Sequence, residues 1–194
     1  MGDTPLLDKK GMHALLCRYE YGVNRRHNGI RDFLCYRILK PLGLVVYREH
    51  PLPRLSTGPT DLEAPLKVDL FIPATASLVD HDQAIDVTIA NSLTAQHLPA
   101  SSRTSGAAAT NLEQNKHRLY GSICRAHNIT LHPVGIDIFG ALGSDGLDFV
   151  QHLANLSANR LGSLLRDAQR NICERLSVAL HTFQARMITT RLLL

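Results

Sequence analysis

The sequence predicts an α/β fold, and three observations carry that expectation. Two short runs rich in branched residues, Lys67-Val68-Asp69-Leu70-Phe71-Ile72 and Ala84-Ile85-Asp86-Val87-Thr88-Ile89, have the length and composition of buried strands. Apolar residues at helical spacing lie on both sides of them, and a further strand-like run follows. The resulting order is helix, three strands, helix, strand and two closing helices. With 194 residues, 44% of them hydrophobic, the chain is long enough for one domain with a sizeable core.

Residues 1 to about 11 are polar, contain Pro5 and Gly11, and are expected to fray. Met12, Leu15 and Leu16 suggest a short helix, whereas Ile30, Phe33, Leu34, Ile38 and Leu39 mark a clearer stripe that Pro41 and Gly43 end. His27 and Arg31 are four apart and share a face suited to phosphate, although His27-Asn28-Gly29 reads equally well as a helix start. Leu44 to Glu49 is a short strand. The Pro-, Gly-, Ser- and Thr-rich loop from Pro51 to Pro65 is long for a compact domain. The Asp80-His81-Asp82-Gln83 turn joins the two central strands, giving a meander of three.

Asn91 to Gly106 is polar, rich in small residues and expected to be mobile. A helix from about Ala107 to His127 would place Leu112, Leu119, Ile123 and Ala126 toward the core. Glu113, Lys116 and Tyr120 share a side that looks back at the strand carboxylates; an exposed Glu-Lys pair is the plainer alternative. Ile129 to Phe139 is a further strand in which Pro133 argues for an edge or a strand start. A turn containing Gly140, Gly143, Ser144 and Gly146 precedes helices at about Ser144 to Asn159 and Leu161 to Arg186.

The formal charge of +4 and pI near 9.0 permit a nucleic-acid partner without demanding one. Arginines crowd the first helical region and the C-terminal third, which allows two basic faces or two solvated helix surfaces. Cys17, Cys35, Cys124 and Cys173 form no C-x-x-C pair, so they read as buried free thiols in a reducing compartment rather than a structural zinc site. Neither a signal-peptide segment nor a membrane-length apolar run is present, which points to an intracellular protein without a membrane partner. Hydrolase chemistry based on the ten histidines, for instance around Asp80-His81-Asp82, finds neither H-x-x-x-H spacing nor a G-x-S-x-G elbow.

The chemistry sits in the strands. A buried carboxylate costs several kcal/mol unless it is paired, and Asp69 and Asp86 on adjacent strands suggest a divalent ion as partner. Alternation sends Ile85, Val87 and Ile89 to one face and Asp86 and Thr88 to the other.

Taken in order, Arg26-His27, Lys67-Val68-Asp69, Asp86-Val87-Thr88-Ile89 and Lys116-His117-Arg118-Leu119-Tyr120 resemble the PD-(D/E)xK restriction-endonuclease-like superfamily. Within it, the chain is most similar to the endonuclease domain of site-specific non-LTR retrotransposons. The resemblance covers about Arg25 to Phe139 and departs at Val68, in place of proline, and at Thr88, in place of the commoner lysine. It implies a restriction-endonuclease-like α-β-β-β-α-β core over about 12–142 with a mixed central sheet flanked by helices, plus a C-terminal helical extension over about 144–190.

It further implies an Mg²⁺-dependent DNA endonuclease, with Mn²⁺ able to substitute. Asp69, Asp86 and the Val87 carbonyl would be metal ligands, and Lys116 the catalytic lysine in place of Thr88. Tyr120, Thr88 and Glu49 would be supporting residues, with Glu20 as a rival to Glu49, while Arg26, His27 and Arg31 would contact nucleic acid. DNA is the implied partner. RNA or a reverse-transcriptase domain of a parent protein, a homodimer, and a nuclear location in a eukaryote are further implications. Without cleavage, the same domain would be a degenerate module that binds nucleic acid or protein.

Overall fold

Ile30, Leu34, Ile38 and Leu39 recur at helical spacing, and the chain that carries them winds continuously from Gly22 to Leu42. A computed structural model describes residues 22–53, 65–76 and 79–192. The expected helix at Met12, Leu15 and Leu16, together with Cys17, Glu20 and most of the 51–65 loop, lies outside the described residues. Helix α1 (Gly22–Phe33) passes into wider π-helical turns over Leu34–Leu39, which bury Leu34, Cys35, Ile38 and Leu39 together. A short 3-10 turn follows, and Gly43 stops the helix at φ 73°, a conformation that glycine adopts without strain.

Four strands form one mixed sheet in the order β1-β2-β3-β4: β1 (Tyr47–Pro51), β2 (Lys67–Ile72), β3 (Asp82–Ala90) and β4 (Ile129–Asp137). The first three make the antiparallel meander, and β4 runs parallel to β3. Strand β1 begins at Tyr47 rather than Leu44, because Leu44 and Val46 are buried in the core before pairing with β2 starts. Pro133 lies in the edge strand β4, opposite Asp86, where its missing N–H costs little.

The remaining helices are α2 (Leu98–Ser101), α3 (Ala107–Ala126), α4 (Ser144–Leu161) and α5 (Leu165–Leu192). The short α2 lies in the segment expected to be mobile. Helix α3 covers one face of the sheet, where Val68, Phe71 and Ala84 meet Tyr120 and Cys124, and Ala90 meets Ala108 and Ala109. Its buried face matches the expected one in part: Leu112 and Ile123 pack against the core, whereas Leu119 is 47% exposed and Ala126 is exposed. Alanines, glycine and a tyrosine face inward instead, since small side chains let the helix approach the strands closely.

The other face holds the main core, in which Ile30, Leu34 and Ile38 pack with Leu70, Ile72, Ile85 and Val87. Phe149, Leu153, Ile172, Leu176 and Leu180 from α4 and α5 belong to that same cluster. The two last helices are therefore part of the sheet's cover, not an appendage to it. Cys35 and Cys124 are buried free thiols and Cys173 is half-buried. Among the described residues no helix is long and apolar enough to cross a membrane.

Side-chain alternation holds along all of β3 but reverses phase in β1 and β2. Val68 and Phe71, three residues apart, both pack on the α3 side, while Leu70 and Ile72 pack on the other. Glu49 has φ 52°, a left-handed backbone uncommon for a residue with a side chain, and Asp69 lies level with it between the pairs Arg48↔Leu70 and His50↔Val68. On the opposite side, the β2–β3 ladder runs from Ile72↔Gln83 to Leu70↔Ile85.

Candidate functional site

Past Leu70 the strands β2 and β3 fork, and the fork brings the two strand carboxylates together. Asp69 follows Leu70 in the direction that meets Asp86 after Ile85, so the two lie level on neighbouring strands. The Asp69 side chain takes over the lost ladder: its Oδ2 accepts the backbone N–H of Val87 at 2.7 Å. From α1, His27 Nε2 reaches into the same gap and lies 3.0 Å from both Asp69 Oδ2 and the Val87 carbonyl oxygen. One N–H donor is thus shared between two acceptors. The hydrogen bond to Asp69 is the main reason that the His27 imidazole is held protonated, its pKa raised from 6.5 to about 9.

Asp86 is held differently. It is 4% exposed, and burial, followed by the neighbouring Asp69 charge, pushes its pKa up. Lys116 on α3 brings its ammonium to 2.7 Å from Asp86 Oδ1 and opposes that shift. The approach is out of line for hydrogen bonding, so this buried oxygen has no aligned donor among the described residues. Tyr120, one turn further along α3, lies beside Asp86 and donates its hydroxyl proton to the Lys67 carbonyl at 3.1 Å. Burial first, and then the Asp86 charge, make that hydroxyl harder to ionise. Lys116 lies 5.7 Å from the Tyr120 ring centre, so ring and ammonium support one another.

Asp69, Asp86 and Lys116, named from sequence, therefore converge, with Val87, His27 and Tyr120 around them. Thr88 stands half-buried on the same strand, opposite Gly135. Glu49 is level with Asp69 but is ion-paired with Arg31 and 57% exposed at its side chain. Arg31 also donates to Asp32 at 3.0 Å, so its guanidinium is engaged within the protein. Arg26, expected at a nucleic-acid surface, points inward instead: it is 4% exposed, its Nε and Nη1 have no hydrogen-bond partner among the described residues, and burial lowers its pKa. Asp82 accepts the Ala74 N–H at 2.8 Å, so the histidine-flanked turn is spent on local structure.

Glu113 shares a helix with Lys116 and Tyr120 but turns away from the site. Wholly buried, it accepts the backbone N–H groups of Gly135 and Gly146 at 2.9 Å and of Asp145 at 3.1 Å. Two of those donors belong to the first turn of α4, so this carboxylate caps a neighbouring helix. A Cβ at Gly143 or Gly135 would collide with it, which accounts for glycine at both positions.

Oxygens dominate the set around the fork: carboxylates of Asp69 and Asp86 and the carbonyl of Val87, the donors that a hard divalent cation prefers. Two features fit such an ion: the unaligned buried Oδ1 of Asp86, and the convergence of Asp69 Oδ2 with the Val87 oxygen on a single cationic group. Among the described residues no three His, Cys, Asp or Glu side chains cluster at ligating distance. No family model and no curated protein matches this chain.

Proposed function

We propose that the protein is a metal-dependent DNA endonuclease with a restriction-endonuclease-like core, similar to the nicking domain of site-specific non-LTR retrotransposons. One observation carries the reading: Asp69, Asp86 and Lys116, drawn from two strands and a helix, meet at the fork between β2 and β3. Asp69, Asp86 and the Val87 carbonyl would hold Mg²⁺, with Mn²⁺ able to substitute. The bound ion would acidify a water and screen charge on the phosphate.

The chain's own groups do the rest. Lys116 brings a fixed positive charge to the edge of the carboxylate pair, where an attacking water can be oriented and negative charge on the phosphodiester offset. Its origin on α3 rather than at Thr88 keeps the ammonium in place while moving it in sequence. The Tyr120 hydroxyl, anchored on the Lys67 carbonyl, fixes the spacing between α3 and β2. His27 holds Asp69 and the Val87 carbonyl in a common orientation.

That same imidazole favours a second reading, a degenerate module that binds DNA without cutting it, because a protein cation already bridges two of the three proposed ligand atoms. Nicking of a supercoiled plasmid in Mg²⁺ against EDTA separates the two. The parent should nick, and Asp86→Ala should lower the rate by about 1,000-fold or more, the several kcal/mol that a metal supplies to such a transition state. An Asp86→Ala protein that cuts like the parent sinks the assignment. Salt-sensitive DNA binding by a parent that never cuts in any divalent metal establishes the binding module.

A further inference from the structure

The left-handed backbone at Glu49 has a visible product. In an unbroken strand His50 would face away from Tyr47; after the reversal both rings lie on the α3 side, where His50 stacks on Phe71 of β2 and Tyr47 stacks on His50. His50 and Phe71 are 4.2 Å apart at 19°, and Tyr47 and His50 are 6.0 Å apart at 29°. The stack is graded from core to solvent: Phe71 is 7% exposed, His50 half-buried and Tyr47 50% exposed. A strained residue that persists needs a return elsewhere, and here it is a row of rings whose outermost member is open.

The row stands beside the proposed cleavage site. Phe71 is two residues from Asp69 on one strand, and Glu49 itself lies level with Asp69 on the next. Lys67, exposed and paired with Pro51, supplies a positive charge at the far end of the same two strands. An exposed ring at the head of a stack, next to carboxylates suited to a phosphodiester and near a lysine, matches an unpaired nucleobase with its sugar-phosphate chain. We propose that Tyr47, backed by His50 and Phe71, is a stacking platform for one unpaired base of the DNA strand, so that the substrate is single-stranded or locally opened DNA. The inference rests on the endonuclease reading for the identity of its ligand.

The test is binding of a single-stranded oligonucleotide carrying 2-aminopurine, in EDTA so that no strand is cut, alongside a Mg²⁺ nicking assay. The parent should quench 2-aminopurine at one position. Tyr47→Ala and Tyr47→Leu should lose that quenching and bind about 10-fold or more weakly, as expected for one base-aromatic stack. Tyr47→Trp should restore both. Tyr47→Leu keeps an apolar side chain on the edge strand without a π face, so a loss in that variant is not a folding defect.

Parent-like affinity and quenching in Tyr47→Ala and Tyr47→Leu overturn the platform. If Mg²⁺ nicking is seen in that case, the endonuclease reading survives alone. If quenching depends on Tyr47 but no DNA is cut in Mg²⁺, the platform stands and the endonuclease reading falls.

Discussion

Asp86 and Glu113 are both buried carboxylates packed between α3 and the sheet, and both have their pKa raised first of all by burial. Glu113 meets three backbone N–H donors at hydrogen-bonding distance, two from the first turn of α4 and one from the edge strand β4. Asp86 meets a lysine out of alignment and a second carboxylate that repels it. The first arrangement is complete within the protein; the second leaves a buried carboxylate oxygen without an aligned donor among the described residues. A buried acid whose surroundings leave it unsatisfied is a candidate for function, whereas one that is satisfied is a candidate for stability.

Substitutions can break or sharpen that contrast. Lys116→Ala should slow Mg²⁺-dependent nicking by about 100-fold, the scale of one electrostatic contact to a developing charge; it also leaves the buried Asp86 carboxylate without its cation, so the melting temperature in EDTA should fall as well. Glu113→Ala should lower stability without removing a group from the fork. It strands three N–H groups, two of them buried, at about 1 kcal/mol or more each. A chain of this size should then melt about 6–12 °C lower, as differential scanning calorimetry would show.

Asp86→Asn is the sharpest comparison. Removing a charge that is buried beside Asp69 should leave stability in EDTA unchanged or raise it by up to about 1 kcal/mol, while nicking is lost. A destabilisation as large as that of Glu113→Ala would mean that Asp86 is a structural acid after all.

Stability should also depend on pH, through His27. Its pKa of about 9 in the folded protein lies above the ordinary value of 6.5, so the unfolded chain releases the proton first as pH rises. The stability that this imidazolium contributes is whole below about pH 6.5 and lost as pH climbs through about 9. In EDTA the melting temperature should fall across that window, and His27→Gln should flatten the fall.

Much of this was legible in the residues. The branched runs around Asp69 and Asp86, the polar turn between them and the stripe from Ile30 to Leu39 led to the strands and the first helix, because short-range periodicity reports which face of an element is buried. The i,i+4 relation of Lys116 to Tyr120 placed both on one side of α3, and they do meet Asp86. Glu113 lay on the same nominal side, yet it turns to β4 and the α4 N-terminus, where three backbone N–H groups meet it. The expected core face of α3 held at Leu112 and Ile123 but not at Leu119 and Ala126, because alanines and Gly121 face the sheet there and permit closer packing than leucines would have.

Local pattern by itself determined the element order, the meander and the identity of the paired acids, since those depend on neighbours within a few residues. Only the tertiary structure decided that β2 and β3 fork at Asp69, that the left-handed turn at Glu49 swings His50 onto Tyr47 and Phe71, and that Arg26 points inward while His27 reaches between two strands. Each of these outcomes depends on contacts between residues 18 to 60 positions apart, such as Arg31 with Glu49 or His27 with Val87, and so on how separate elements share space rather than on the propensity of any one of them.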